Sequence, residues 1–284
     1  MNKQPNWGLA LLPIASVDLV FFALPMLIMA MASVLVTREF HVVFQLTAAN
    51  YLFFFRNPLY AIILAKTVSL AAVVTACCLV IGYPFAFFLT KLPRRVRNVM
   101  LVLVILPFWT SYLLRVYAWV TILGEHGLIN RALIGAGAID EPLRILLYNN
   151  YAVVLVSVYL YIPYCALVLY TSLERLNPSL LAAAMDLGAP PWRVFLHVML
   201  PLTLPGIFTS FIFVFIPMLG EYVTPTLVGG ARGMLIVNVV VSQFQALRFG
   251  VGSAMVFVIA GLTLALILAL RRVAKLEEIF GGRQ

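Results

Sequence analysis

Apolar residues fall into long runs separated by short polar stretches, and the run length is the first informative quantity. A helix needs about 20 apolar residues to cross the hydrocarbon core of a bilayer. Six runs meet that need, at about 17–36, 60–89, 99–120, 151–173, 205–223 and 253–270. The first has apolar residues from near Leu9 and no small-residue cleavage site after it, so it reads as a retained span. The second is longer than one crossing requires, which predicts tilt or a first turn embedded in a loop. The fifth carries Pro217 and Gly220, which predict a break in a membrane helix. The pattern predicts an all-α integral membrane protein with six transmembrane helices in one domain, 1–284. No low-complexity tract, soluble linker or internal repeat interrupts it.

The polar stretches set the topology. Lys91, Arg94, Arg95 and Arg97 directly follow the second run, and Arg271, Arg272 and Lys275 follow the sixth. By the positive-inside rule both clusters are cytoplasmic, Lys3 agrees weakly, and both termini are expected in the cytoplasm. Residues 37–58 then read as an external loop with a surface-lying helix. Residues 124–150 read as a second external loop with a short amphipathic helix. Residues 224–250 read as an external excursion. Asp18 reads as an interfacial carboxylate, and Lys66 as a cation that extends outward to the interface.

One cytoplasmic stretch, NPSLLAAAMDLGAPPWRVFLHVMLPLTLP at 177–205, has its own design. Asn177 can cap a helix and Pro178 suits its first position. Residues 179–187 favour helix, and Gly188 can take the left-handed conformation that ends one. Pro190 and Pro191 cannot continue that helix but can open another over 192–200. The spacing predicts two short helices at a sharp angle. Leu180, Leu181, Ala183, Ala184 and Leu187 give the first a surface of small and apolar residues. It packs either under its own bundle or into a groove of another subunit.

Composition supports the membrane reading. Apolar residues make up 64% and charged residues 10% of the 284 residues, against roughly 45–50% and about 25% in soluble domains. The formal charge of +9 would suggest nucleic acid in a soluble protein, but here the cations flank apolar runs. Cys77, Cys78 and Cys165 lie within spans, and His41, His126 and His197 lack ligand spacing, so neither a disulfide framework nor a metal site is indicated. No phosphate-cradling glycine motif occurs, so the chain is not expected to bind ATP itself. No nucleophile–base arrangement occurs either, and no catalytic residue is expected.

Two features suggest a solute path. The third run turns aromatic at Phe108, Trp109, Tyr112, Tyr117 and Trp119, with Arg115 among them. These rings form either an interfacial belt or stacking walls for a cationic solute. Glu221 follows the Pro217–Gly220 break and is either a solvated interfacial acid or a carboxylate that attracts a cation into the path. Trp109, Tyr112, Trp119, Glu221 and Tyr222 are the expected path residues. A membrane scaffold or electron-transfer subunit would need cofactor ligands or a small-residue dimerisation face, and a secondary transporter would need paired broken helices. Neither is evident.

The cytoplasmic stretch resembles the loop shared by permease subunits of importing ABC transporters, whose pattern is E-A-A-x-x-x-G-x9-I-x-L-P. Ala182, Ala183 and Ala184 occupy the E-A-A positions, Gly188 the glycine, and 198–201 (V-M-L-P) the final motif. Ala182 replaces the glutamate, although Asp186 remains. GYPFAFFLTKLP at 82–93, LPFWTSYLLRVYAW at 106–119 and FIPMLGEYVTPTLVGG at 215–230 resemble the spermidine/putrescine branch, which also includes opine and related amine importers. The resemblance implies a location in the bacterial cytoplasmic (inner) membrane, with two ATP-binding subunits that hold Mg-ATP. It also implies a second homologous permease and an external solute-binding protein. Within the loop at about 177–201, Leu181, Ala182, Ala183, Ala184, Asp186, Leu187, Gly188 and Ala189 would form the coupling helix docked on the ATPase.

Overall fold

The computed structural model describes residues 17–38 and 41–280, without side chains for 38–42 and 270–280. Lys3, Glu39 and a start of the first span near Leu9 lie outside the described residues. So do the side chains of Arg271, Arg272 and Lys275.

Among the described residues, four helices are long and apolar enough to cross a membrane: Pro58–Lys91 (α3), Asn150–Glu174 (α7), Pro191–Leu219 (α9) and Phe249–Ala269 within Phe249–Phe280 (α12). Two sharply bent helix pairs raise the number to as many as six. The chain divides into two compact units, one of residues 1–62 and 239–264, the other of 63–238 and 265–284.

In the first unit, Leu19–Ser33 (α1) is an apolar helix of 15 residues, shorter than the 17–36 span expected. It stops because the chain turns at Val34 into an antiparallel hairpin, Leu35–Arg38 (β1) with His41–Leu46 (β2). The hairpin was not expected in the 37–58 loop, although β-branched Val36, Thr37, Val42 and Val43 favour it. The expected surface helix of that stretch is Ala49–Arg56 (α2). Its buried Asn50 donates to the carbonyls of Ser33 and Leu35, both at 2.9 Å, which fixes the turn.

The second unit is organised on α7, which packs along α9, and Val153, Val156, Leu160, Leu169, Val214 and Met218 lie buried in the same core. Asn149 caps α7 by accepting from the Ala152 N–H at 2.9 Å. A Cβ on Gly206 would lie 2.3 Å from the Ser172 Cβ, so glycine is what lets α9 approach α7 there.

Three expectations about this unit change. The run at 99–120 is not straight: Arg94–Trp109, which contains Arg94–Ile105 (α4), and Tyr112–Gly135 meet at 92°. The bend follows Pro107, whose carbonyl accepts from the Thr110 N–H and hydroxyl, leaving Thr110 extended. Beyond it lie Tyr112–Leu123 (α5) and the expected amphipathic helix of the 124–150 loop, Leu128–Gly135 (α6).

The expected second cytoplasmic helix and the fifth span are one helix, α9, through Pro201, Pro205 and Pro217. Within the membrane the backbone has no water to bond, so the helix continues by local adjustment. A widened turn at Phe195–Met199 and the Thr203 hydroxyl, which donates to Met199 and Leu200 carbonyls at 2.9 and 3.1 Å, provide it. The break comes only at Gly220.

The 224–250 excursion contains two helices, Pro225–Gly233 (α10) and Ile236–Gln245 (α11), bent by 97°. Lys66 does not extend freely outward. It donates to the carbonyls of Arg232 and Met234 at this bend. Thr67 Oγ1 and Asn238 Oδ1 accept from the freed Ile236 and Leu235 N–H groups, both at 2.9 Å.

Candidate functional site

Two regions of the second unit carry the expected functional residues. The first is the stretch after α7. Asn177 accepts from the Ser179 N–H at 3.0 Å and hydroxyl at 2.8 Å, and so caps Pro178–Asp186 (α8). The helix closes at Gly188, whose φ of 83° is left-handed. Gly188 N–H reaches the Met185 carbonyl at 2.9 Å, and Ala189 N–H reaches Ala184 at 3.2 Å. This pair of bonds satisfies the orphan carbonyls of the last turn. As read from Gly188, Pro190 and Pro191, α8 ends at a left-handed Gly188 and the chain is extended at Pro190 before α9 begins at Pro191.

α8 has two apolar faces. Pro178, Leu181, Ala182 and Met185 recur at helical spacing and line a groove against α3 and α9. Leu180 and Leu187 lie on the other side with Ala183, and Leu187 is 89% exposed. Asp186 and Gly188 are also exposed, while Ala184 and Ala189 are half-buried. Just before the loop, Glu174 accepts from the Tyr170 hydroxyl at 2.5 Å and pairs with Arg97 at 3.5 Å, which ties the end of α7 to α4.

The second region surrounds Glu221, which is 6% exposed and therefore not a solvated interfacial acid. Its Oε2 accepts from the Tyr112 hydroxyl at 2.7 Å and the Tyr161 hydroxyl at 2.9 Å. Its Oε1 accepts from the Thr224 N–H at 3.1 Å, at the entry to α10. Tyr112 also meets the Thr224 hydroxyl at 3.0 Å. One carboxylate thus joins the bend before α5, the middle of α7 and the break after α9. A buried acid is kept only where donors replace its water, and here three do.

Of the expected path residues, Tyr112 and Glu221 come together. Trp109 is exposed, Trp119 stacks edge-on with Tyr159 at 5.4 Å, and the Tyr222 carbonyl accepts from Asn238 at 3.2 Å. Tyr161, Thr224 and Tyr164, whose ring meets Phe108 at 4.4 Å, complete the cluster and were not anticipated. The available signal was Tyr161 itself, since a phenol in the middle of an apolar span needs a partner for its hydroxyl. The Arg115 guanidinium lies 5.8 Å from the Phe108 and Tyr112 ring centres, a cation already seated on aromatic faces. Among the described residues no group of His, Cys, Asp and Glu could hold a metal ion.

Residues 79–277 match the family model described as "Binding-protein-dependent transport system inner membrane component". The chain belongs to that family. It is therefore a multi-pass inner-membrane permease component of a binding-protein-dependent transport system, and the loop pattern at 177–201 falls inside the matched region. Among its relatives, the spermidine/putrescine transport system permease protein PotB of Haemophilus influenzae is 40% identical over 233 residues, 81% of this chain and 80% of that protein. PotB of Escherichia coli is 42% identical over 192 residues, 68% of this chain and 70% of that one. The inner membrane ABC transporter permease protein YdcU of Escherichia coli is 35% identical over 216 residues, 72% of this chain and 68% of that one. The fold is shared with a chain in the crystal structure of a bacterial alginate ABC transporter in complex with an alginate pentasaccharide-bound periplasmic protein. That likeness has a TM-score of 0.72 at 17% identity and covers 95% of this chain and 94% of the other.

Proposed function

We propose that this permease subunit takes up polyamines, spermidine or putrescine or a closely related amine, in an ATP-driven ABC importer. The observation that carries the reading is the identity of 40–42% to spermidine/putrescine permeases over most of the chain. The chain is read as one permease domain, 1–284, with both termini in the cytoplasm. It carries no catalytic residue and no cofactor of its own, and Mg-ATP belongs to two separate ATP-binding subunits. A second homologous permease completes the path, and an external solute-binding protein delivers the solute.

In this reading Leu181, Ala182, Ala183, Ala184, Asp186, Leu187, Gly188 and Ala189 form the coupling element. Its support is an α8 held rigidly at both ends that presents Leu180, Ala183 and Leu187 outward. With Ala182 in place of a glutamate, the contact rests on shape and apolar surface more than on charge. ATP closes the ATP-binding pair and moves the docked α8, and the path turns outward; hydrolysis returns it inward. Such a cycle requires that ATP bind the two states with different affinities.

Tyr112 and Glu221 organise the path, with Trp109, Trp119 and Tyr222 as flanking residues. Because Glu221 already accepts from protein donors, its negative charge acts on a passing amine through the field around the cluster. The test is uptake of labelled putrescine and spermidine into cells that carry the transporter as their sole polyamine importer. ATP-dependent accumulation, competed by either amine and lost in Gly188→Pro, is the expected result. Uptake confined to an opine or a neutral amino acid would overturn the substrate, and undiminished uptake in Gly188→Pro would overturn the coupling role.

A further inference from the structure

The inner face of α8 closes a groove of about 770 Å³ against α3 and α9. Its wall runs along α3 from Leu79 to Lys91, with Leu181 and Ala182 from α8 and Phe195 and Ile207 from α9. That length is 13 residues of helix, whose 12 steps span roughly 18 Å at 1.5 Å each. One leaflet of the hydrocarbon core is about 15 Å deep. Only two lining residues, Tyr83 and Lys91, carry a polar group of the ordinary kind. The Tyr83 hydroxyl is already bonded to Thr203 at 2.9 Å, so the long wall offers nothing to a polar solute.

Lys91 stands at the end of α3, its ammonium 5.1 Å from the Phe87 ring centre, followed by exposed Arg94 and Arg95. Among the described residues none of these three cations makes an ion pair. The groove is thus apolar for the depth of one leaflet and positively charged at its interfacial end. Ala182 contributes a methyl group where the resembling motif has a glutamate, whose carboxylate would repel an anion from this wall.

We infer that the groove holds one acyl chain of an anionic phospholipid, with its phosphate at Lys91. The chain fills the space beneath α8 and supports the outward presentation of its other face. A site of this kind combines burial of apolar length with attraction to an anionic headgroup, each of which alone gives only weak retention. Lipid binding in this groove does not depend on which solute is transported.

The test uses the intact chain purified with its partner subunits in a mild detergent. It is titrated with phosphatidylglycerol or with phosphatidylcholine, and the lipid adducts are counted by native mass spectrometry. Phosphatidylglycerol is expected to bind more tightly than phosphatidylcholine. Lys91→Glu should weaken its binding at least about fivefold, the effect of one basic residue at an anionic surface, and leave phosphatidylcholine unchanged. Lys91→Gln repeats the measurement with a gentler change should the glutamate variant fail to assemble. Val80→Trp, at a groove position that is 72% exposed, should remove both adducts by filling the space. Equal binding of the two lipids, or phosphatidylglycerol binding untouched by both Lys91 variants, would overturn the inference. So would cross-linking of Val80→Cys to a neighbouring subunit in a complex without adducts, which would make that subunit the occupant.

Discussion

The Glu221 cluster and the α8 loop invert the usual arrangement in opposite directions. At Glu221 a charge is buried, yet Tyr112, Tyr161 and Thr224 all donate to it, so the cluster is complete within one chain. At α8 an apolar side chain, Leu187, is 89% exposed on a helix that is capped and closed at both ends. The first arrangement stabilises the permease, because removing the carboxylate leaves buried donors without a partner. The second leaves apolar surface uncovered and gains stability only when something covers it. Stability should therefore respond to the first region and assembly to the second.

The largest loss of stability is expected from Glu221→Ala. It orphans the Tyr161 phenol and the Thr224 N–H and leaves Tyr112 with the Thr224 hydroxyl alone, at about 1–3 kcal/mol for each donor that water cannot reach. Thermal unfolding of the detergent-solubilised chain should show a clearly lowered midpoint. An unchanged midpoint would mean that the carboxylate is not integral to the packing. Tyr161→Phe should cost less, about 1.5–3 kcal/mol for one hydrogen bond to a charged acceptor. Glu221 then keeps Tyr112 and Thr224, and polyamine uptake should survive in Tyr161→Phe in proportion to the folded protein. Loss of uptake without loss of folded protein would instead assign Tyr161 to the solute path.

The two regions were unequally legible in the sequence. Asn177, Pro178, Gly188 and Pro191 act through local backbone rules, so the ends and direction of α8 could be read from residue types alone. Where the third and fifth spans bend depends on how freed backbone groups are satisfied. Pro217 and Gly220 were together expected to break the fifth span, yet the helix runs through Pro217 and breaks at Gly220. The 97° bend after α10 rests on Thr67, which is 169 residues from the N–H it receives. Partners that far apart leave no local spacing to read. The same is true of Glu221, whose site depended on Tyr161, 60 residues away. An acid beside a helix break was visible; the donors that bury it were not. The hairpin after α1 is illegible for another reason, since its strands of four and six residues are too short to stand out beside a long apolar run.

The smallest effect on stability and the largest on assembly are expected together from Leu187→Asp. Its side chain is exposed, so the unfolding free energy should move by less than about 0.5 kcal/mol. The outward face of α8 would, however, carry a charge into the contact proposed for the ATP-binding subunit. The decisive measurement is co-isolation of that subunit with wild-type and Leu187→Asp permease from the same membranes, with thermal unfolding of each permease in parallel. An unchanged midpoint with loss of most of the co-isolated ATPase is the predicted result. Undiminished co-isolation from an equally stable variant would contradict the assignment of α8 as the coupling helix.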